Sequence, residues 1–331
     1  MILKILVKME ILSSYANIFS RKHSTGIGKT EEIIYNGFMS QGTLLRKPEW
    51  IRVKVPSGER WQAVTAILEK RSLHTVCDEA RCPNKGECWG AGTATFMILG
   101  DRCTRSCRFC AVASARTGTP VLSEEAEQLA LAVEDLGLKY AVLTSVDRDD
   151  LPDRGANHFA RCIQAIKSCK KTVRVEVLIP DFVEGEIEAV LQAAPDVVAH
   201  NIETVPSLQH VRDSRANYEK SLHTLYLAKK GGISVTKSSM LLGLGEQFDE
   251  VLSAMDELRQ VGVDVLVLGQ YLRPGPAQLP VVEYIHPDRF KEYERLGREK
   301  GFRAVVASPF ARTSYHAQEA WTAGSEGEGA P

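Results

Sequence analysis

Six of the eight cysteines of this chain lie in two short triplets that are separated by fourteen residues. The triplets consist of Cys77, Cys82 and Cys88, and of Cys103, Cys107 and Cys110. Three thiolates on a short loop can hold three irons of a 4Fe-4S cluster and leave the fourth iron open to another ligand. Two different triplets in this order predict two clusters, one that starts a radical reaction and one that supplies something to it.

The bulk composition excludes several classes of protein. Lys and Arg number 41 and Asp and Glu number 42 among 331 residues, so the formal net charge is −1. A chain that binds nucleic acid usually carries a basic excess, and the longest apolar stretches are too short to span a bilayer. Clustered cysteines in a chain of this size indicate metal ligation in a reducing compartment. We therefore expect a cytoplasmic protein with no nucleic-acid or membrane partner.

The first residues leave the compartment open to one alternative. Residues 1–45 read as a poorly ordered extension, and Met39 begins a stretch that would make a normal start of translation. We prefer an extended or misassigned N-terminus. The alternative is a mitochondrial presequence, although Glu31 and Glu32 are unusual in one.

Strand and helix patterns alternate between residues 93 and 300. The predicted strands are 93–99, 140–146, 172–179, 196–202, 233–241 and 264–270. The predicted helices are 124–136, 156–169, 184–193, 217–230, 247–260 and 287–300. Such alternation indicates parallel β/α units, and six units are too few to close an eightfold barrel. We predict an α/β fold, a partial (β/α)6 TIM-type barrel whose open side is covered by N- and C-terminal extensions.

The domain organisation follows from this pattern. A segment with the first triplet, which also contains a predicted helix at 58–72, precedes the barrel, and a short C-terminal segment and a disordered tail follow it. The predicted bounds are 1–45, 46–92, 93–300, 301–320 and 321–331. Functional groups in such barrels lie at the carboxyl ends of the strands, and the second triplet directly follows the first strand.

The second triplet, written out as Cys103-Thr-Arg-Ser-Cys107-Arg-Phe109-Cys110, resembles the signature of the radical S-adenosylmethionine (SAM) enzymes. The resemblance implies a 4Fe-4S cluster whose open iron binds S-adenosylmethionine and whose electron releases a 5′-deoxyadenosyl radical. An external electron donor such as ferredoxin or flavodoxin is then required. It also implies that Phe109 lies beside the cofactor.

Other readings of the cysteines are weaker. A zinc site prefers four ligands in C-x2-C pairs, and an electron carrier of the ferredoxin type uses four cysteines per cluster. A different radical sulfur-inserting enzyme, similar to biotin synthase or to the methylthiotransferases, has other auxiliary ligands. A non-enzyme alternative is a cluster-bearing scaffold or electron-transfer module, and about eight irons per chain together with formation of 5′-deoxyadenosine would separate the enzyme from it.

The first triplet narrows the resemblance to the lipoyl synthases. Cys77-Asp-Glu-Ala-Arg-Cys82-Pro-Asn-Lys-Gly-Glu-Cys88-Trp is similar to their auxiliary-cluster motif, and Arg312-Thr-Ser-Tyr315 is similar to their C-terminal R-S-S-Y motif. The resemblance implies that Ser314 is the fourth ligand of the auxiliary cluster. Thr313 replaces the usual first serine, which leaves open which hydroxyl binds. The similarity extends from about Trp50 to Ala320.

This resemblance implies a function and a set of partners. The substrate would be an octanoyl group on a lysine of a carrier protein, either the glycine-cleavage H protein or an E2 lipoyl domain of a 2-oxoacid dehydrogenase. Sulfur would be inserted at C6 and C8 of that chain, and the auxiliary cluster would be consumed as the donor. An iron–sulfur carrier protein would then rebuild the cluster, and we expect a monomer.

Polar residues and glycines at the predicted strand ends complete the expected cofactor site. These are Ser145, Asp147, Asn201, Glu203, Gly243 and Gly245. Glu203 or Asn201 could accept hydrogen bonds from ribose hydroxyls, and the glycines permit a close backbone approach to the adenosyl group. Taken singly, each residue could equally be a cap or a turn. Arg212 and Arg215 could bind a carboxylate or an acidic partner, or lie on a solvated face.

Overall fold

The computed structural model describes residues 45–53, 58–169, 172–315 and 317–318. The predicted start at Met39, most of the N-terminal extension and the predicted disordered tail lie outside these residues. The predictions about them stay predictions.

One eight-stranded sheet forms the centre of the described part of the chain. Its strands, in spatial order, are β1 (His74–Thr75), β2 (Thr95–Ile98), β5 (Tyr140–Ser145), β6 (Arg174–Leu178), β7 (Val197–Ala199), β8 (Val235–Leu242), β9 (Val265–Gln270) and β10 (Ala304–Ser308). The β1 strand is antiparallel to β2, and every other neighbouring pair is parallel. The sheet does not close, because β1 and β10 remain its two edges.

Helices connect the parallel strands. The helices of the described chain are α1 (Glu59–Lys70), α2 (Val76–Glu79), α3 (Lys85–Gly90), α4 (Glu125–Asp135), α5 (Ala156–Cys169), α6 (Ile187–Gln192), α7 (Tyr218–Lys230), α8 (Phe248–Gln260) and α9 (Pro287–Glu299), with a 3-10 helix at Pro206–Val211. A small second sheet pairs β3 (Arg102–Cys103) with β4 (Ala113–Ser114). No helix among the described residues is long and apolar enough to cross a membrane.

The architecture confirms the predicted partial barrel and adds one strand to it. The short apolar run at 304–307 pairs in parallel with β9 as a seventh parallel strand, with Ala304 opposite Val265. No strand was predicted at these residues from the sequence. The short helices α2 and α3 around the first triplet were not predicted either.

Local sequence explains where several helices begin. The Asn217 side chain accepts a hydrogen bond from the backbone N–H of Lys220 at 2.7 Å, which caps α7. The Thr75 hydroxyl accepts from the N–H of Asp78 at 3.2 Å in the same way, which fixes the start of α2 and therefore the position of Cys77.

The core lies between the sheet and the helices. Leu143 and Val177 pack among the buried residues of α4 and α5, whereas their neighbours Thr144 and Leu178 line a cavity on the opposite face. This alternation follows from strand geometry, since successive side chains point to opposite faces of a sheet. The parallel strands therefore turn their outer face to the helices and their inner face to the site.

Candidate active site between two cysteine loops

The second triplet lines a cavity of about 240 Å³ at the carboxyl ends of the strands. The predicted site residues at this cavity are Cys103, Cys107, Phe109, Cys110, Ser145, Asp147, Asn201 and Glu203. Val76 and Ala80, which flank Cys77 in the first triplet, line the same cavity. One space therefore borders both cysteine loops.

Gly243 and Gly245 do not line this cavity. Gly243 has φ 94°, and a side chain there would meet Gln270 Nε2 and the Glu283 carbonyl. The close approach that Gly243 allows is therefore made by the protein's own chain. A role for either glycine against an adenosyl group has no support in this geometry.

The thiols of the second triplet are half-buried and receive backbone hydrogen bonds. Burial raises the pKa of Cys103 to about 12 and that of Cys107 to about 11. The N–H of Arg105 lies 3.4 Å from Cys103 Sγ, and the N–H of Asp213 lies 3.3 Å from Cys107 Sγ. Such thiols need a cationic partner in order to ionise, and N–H groups directed at sulfur tune iron–sulfur clusters. The environment fits iron ligation.

A buried charge network holds this cysteine loop. Arg105, between Cys103 and Cys107, donates to Asp149 at 2.9 and 2.8 Å and to the fully buried Asp181 at 2.7 Å. Asp149 follows β5 and Asp181 follows β6, so a single guanidinium ties the loop to two strand ends. Bidentate pairing of this kind fixes direction as well as distance.

Asp213 and Arg215 hold the loop from the other side. Asp213 accepts from the Ser106 N–H at 2.9 Å and from Arg215 Nε at 2.8 Å. Hydrogen bonding from Arg215 lowers the pKa of Asp213 well below its usual range. Arg215 also donates to the Thr104 carbonyl at 2.5 Å. Arg215 is therefore engaged within the chain while its side chain stays exposed, which agrees with the solvated face offered from sequence.

Three buried polar atoms at the cavity lack a hydrogen-bond partner among the described residues, namely Ser145 Oγ, Asp181 Oδ2 and Arg212 Nε. Of these, Asp181 Oδ2 lies 3.1 Å from Lys220 Nζ as an ion pair. Burial also raises the pKa of Asp147 and of Glu203, so both carboxylates favour a cationic neighbour. S-adenosylmethionine carries a sulfonium, an ammonium and a carboxylate, and this donor set offers a complementary group for each. The residues present fit that cofactor.

The first triplet forms a second group of thiols, of which Cys77 is buried and Cys82 and Cys88 are half-buried. Burial, and then the neighbouring thiolates, raise the pKa of Cys88 to about 12, while burial raises that of Cys77 to about 11. The backbone N–H groups of Asn84 and Lys85 act in the opposite direction on Cys82. The indole N–H of Trp89 is buried and directed at Cys77, and it acts to lower the pKa of that thiol.

The C-terminal segment lies against this cluster. The Asn84 side chain donates to the Phe310 carbonyl at 2.7 Å, and the Tyr315 hydroxyl donates to Glu87 at 3.0 Å. The charge of the half-buried Arg312 acts to lower the pKa of Cys82. The two hydrogen bonds hold the segment on the loop of the first triplet.

The two hydroxyls of this segment have different surroundings. Thr313 Oγ1 is buried and lies 2.9 Å from Ser239 Oγ and 3.0 Å from Asn201 Oδ1. The half-buried Ser314 makes no side-chain hydrogen bond within the described residues. Thr313 is thus committed to the barrel, whereas the hydroxyl of Ser314 is available to a ligand.

Within the described residues, no three His, Cys, Asp or Glu side chains are grouped so that they could hold one metal ion. A 4Fe-4S cluster places its cysteines on different irons, so its ligands lie farther apart than those of a single ion.

Comparison with known proteins decides the family. A sequence model of the Radical SAM superfamily matches residues 97–269, and one for the N-terminal domain of lipoyl synthase matches residues 20–82. The lipoyl synthase of Thermus thermophilus is 54% identical over 279 residues, which cover 82% of this chain and 85% of that protein.

The chain belongs to the lipoyl synthase family. The lipoyl synthase of Marinobacter nauticus is 50% identical and covers 87% of this chain and 84% of its own. The mitochondrial lipoyl synthase of Picea sitchensis is 49% identical, with 83% and 74% covered. The resemblance to lipoyl synthases found from the cysteine motifs is therefore confirmed, and with it a radical SAM enzyme that inserts sulfur.

Solved structures support the same fold. Methylornithine synthase aligns with a TM-score of 0.52 at 13% identity, covering 73% of this chain and 69% of its own. The FeFe-hydrogenase maturase of Carboxydothermus hydrogenoformans aligns with a TM-score of 0.53 at 20% identity, covering 69% and 55%. At these identities the likeness shows the fold alone.

Several residues of the lipoyl synthase site were not found from sequence. Arg105 and Asp181 had no signal, since they are 76 positions apart in the chain. The sequence left open whether Arg212 binds a carboxylate or acidic partner or lies on a solvated face. Only the fold shows that Arg212 lines the cavity. Gln278, which was not among the predicted site residues, donates to the Cys110 carbonyl at 3.2 Å.

Proposed function

We propose that this enzyme inserts two sulfur atoms, at C6 and C8, into an octanoyl chain that is amide-linked to a lysine of a carrier protein. The observation that carries this proposal is the single cavity bordered by both cysteine loops, with Val76 and Ala80 on one side and Cys103, Cys107 and Cys110 on the other. A reaction that joins radical formation to sulfur transfer needs both centres at one substrate carbon.

The residues divide the work between two sides of the cavity. Cys103, Cys107 and Cys110 would hold one 4Fe-4S cluster, and Phe109, Ser145, Asp147, Asn201, Glu203 and Arg212 would bind S-adenosylmethionine. Cys77, Cys82, Cys88 and Ser314 would hold the auxiliary cluster. When bound, S-adenosylmethionine and the clusters supply the hydrogen-abstracting radical and the sulfur. The protein orients these groups and keeps water from the reacting carbons.

Ser314 is suited to be an iron ligand that must dissociate during the reaction. An alkoxide is a hard ligand that dissociates from iron more readily than a thiolate, and iron must be released as sulfur is extracted. Thr313 holds the segment on the barrel through Ser239 and Asn201. Ser314 can therefore change its bonding without releasing the segment.

The partners follow from the same proposal. The carrier would be an H protein or an E2 lipoyl domain, ferredoxin or flavodoxin would supply electrons, and an iron–sulfur carrier would renew the auxiliary cluster. A monomer in the cytoplasm, or in the mitochondrion if the N-terminal extension is a presequence, is sufficient for this reaction.

Anaerobic reconstitution tests the proposal. The chain is purified, loaded with iron and sulfide, and supplied with S-adenosylmethionine, a reductant and a short peptide bearing octanoyl-lysine. We expect about eight irons per chain, as two 4Fe-4S clusters require, and a product heavier by two sulfur atoms. About four irons and an unmodified peptide would contradict it. Cys82→Ala is the matched control, and it should retain about four irons and form no product.

A further inference from the structure

Two arginine side chains share one short loop at the rim of the cavity. Arg81 Nη1 donates to the Pro274 carbonyl at 3.5 Å. Arg273 Nε donates to the Gln278 carbonyl at 2.8 Å, and Arg273 Nη2 donates to the Pro276 carbonyl. Neither guanidinium pairs with a carboxylate within the described residues. We call residues 273–279 the rim loop.

The rim loop connects the two cysteine loops. Arg81 directly precedes Cys82 in the first triplet. At the other end, Gln278 donates to the Cys110 carbonyl at 3.2 Å and the Leu279 N–H donates to the Arg108 carbonyl at 3.1 Å. Because Ala80 and Cys110 line the cavity, the rim loop lies beside the wall of that cavity.

A third cation lies at the same rim. Arg108 stands between Cys107 and Cys110, its side chain is exposed, and it forms no ion pair within the described residues. Arg81, Arg108 and Arg273 thus place three cations around the rim loop, which contacts both cysteine loops.

The hydrogen bonds of Arg81 and Arg273 leave most of their donors unused. A guanidinium has five N–H donors, and Arg81 and Arg273 donate hydrogen bonds only to carbonyl oxygens. A carbonyl carries no net charge that could offset the repulsion between the two guanidinium groups. Carboxylates satisfy such groups best, since they accept two parallel hydrogen bonds from one guanidinium. The rim is therefore complementary to an acidic surface.

We propose that Arg81, Arg108 and Arg273 form a docking surface for an acidic face of the carrier protein that presents the acylated lysine. This inference rests on the proposed function, since a protein-bound substrate must bring its own surface to the cavity entrance. The formal charge of −1 for the whole chain argues against nucleic acid as the occupant. The local cations instead select one face of one partner, and charge complementarity of this kind raises the rate of encounter.

The test compares two substrates for one enzyme. One is the octanoylated carrier protein, and the other is a short octanoyl-lysine peptide without acidic residues. The double variant Arg81→Glu/Arg273→Glu should lose about tenfold more in kcat/KM with the carrier than with the peptide, mostly through KM. Added salt should lower the wild-type rate with the carrier and leave the peptide rate nearly constant.

The control variant is Lys139→Glu, which changes the charge by the same amount as each of the two arginine substitutions. Lys139 is exposed and directly precedes β5, so it lies at the opposite end of that strand from the site. It should affect both substrates equally. A loss in the Arg81/Arg273 variant that is equal for carrier and peptide, or no loss at all, would overturn the docking surface. If the wild-type enzyme modifies neither substrate, the proposed function fails instead. A carrier variant with its acidic residues changed to lysine should restore the rate of the double variant.

Discussion

Two adjacent hydroxyls on the C-terminal segment have unequal roles at the scale of single residues. The Thr313 hydroxyl lies within hydrogen-bond distance of Ser239 and Asn201, and Asn201 in turn donates to Glu203 at 3.1 Å. Ser314 has no such commitment within the described residues. The sequence left open which hydroxyl binds iron, and the geometry favours Ser314 because Thr313 is already occupied.

Substitutions at these two positions should therefore separate stability from activity. Ser314→Ala should change the free energy of unfolding by no more than about 0.5 kcal/mol and abolish product. Thr313→Val should lower it by about 1–3 kcal/mol, because buried partners lose their hydrogen bonds. Denaturant titration and product mass measure the two effects.

Two further variants serve as controls. Thr313→Ser keeps the hydroxyl and should restore most of the stability lost in Thr313→Val. Ser314→Cys should keep the iron and suppress product, so full product formation in Ser314→Cys would contradict the role given to this residue.

His200 gives a pH dependence at the same scale. Its Nδ1 lies 2.8 Å from the Ile179 carbonyl and its Nε2 lies 2.9 Å from Ser221 Oγ, which suits the neutral ring. Burial lowers the pKa of His200 to about 4. In the unfolded chain the His200 ring binds a proton near pH 6.5, whereas in the folded chain it does not. The free energy of unfolding therefore falls as the pH drops below that value. Between pH 7 and 5 the loss should be about 2 kcal/mol.

The measurement compares denaturant unfolding of the wild type and His200→Gln across this pH range. The variant lacks the titrating ring, so it should be less stable at pH 7 and lose less stability on acidification. Parallel curves for the two proteins would show that His200 does not contribute to the pH dependence.

At the scale of elements, the second cysteine loop depends on strands far from it in sequence. Arg105 bridges Asp149 after β5 and Asp181 after β6. The guanidinium and Asp181 are buried and Asp149 is half-buried, and removing one partner of a buried pair commonly costs about 3–5 kcal/mol. The loop's geometry is therefore a property of the barrel as well as of the cysteine spacing.

Arg105→Leu should therefore remove one cluster and spare the other. We expect iron content to fall from about eight to about four per chain, with Cys77, Cys82 and Cys88 still loaded. Arg105→Lys should retain part of the iron, because an ammonium cannot make the bidentate contact. Arg295→Leu in α9, which breaks only an exposed pair with Glu299, is the matched control and should keep all of it. An iron content of about eight per chain in Arg105→Leu would contradict the role given to Arg105 in holding the second cysteine loop.

The sequence predicted the elements better than the contacts between them. Cysteine spacing and strand alternation are local patterns, so both triplets, six parallel strands and the strand-end residues Asp147 and Glu203 could be read directly. The pairing of Arg105 with Asp181 spans 76 positions, and periodicity carries no signal for it. Gly243 is a second example. Its positive φ could be expected from the residue type, whereas the neighbouring chain that it accommodates, at Gln270 and Glu283, could not.

At the scale of the whole molecule, segments before and after the barrel meet at its carboxyl edge. The Asn84–Phe310 and Tyr315–Glu87 hydrogen bonds join the N-terminal triplet to the C-terminal segment, and the rim loop joins that triplet to the barrel's own cysteines. Residues between Val76 and Ala216 line the cavity, and the C-terminal segment packs on the loop of the first triplet beside it. The predicted domain bounds, compartment and monomeric state stay predictions.

The most direct test of the two-centre account follows the sulfur atoms. The enzyme is reconstituted with sulfide of a heavy isotope, freed of excess sulfide, and given an octanoylated carrier for a single turnover. The account predicts that the product carries two heavy sulfur atoms and that Cys82→Ala, which retains the second triplet, makes none. Product with ordinary sulfur, or dithiolane formed by Cys82→Ala, would contradict it.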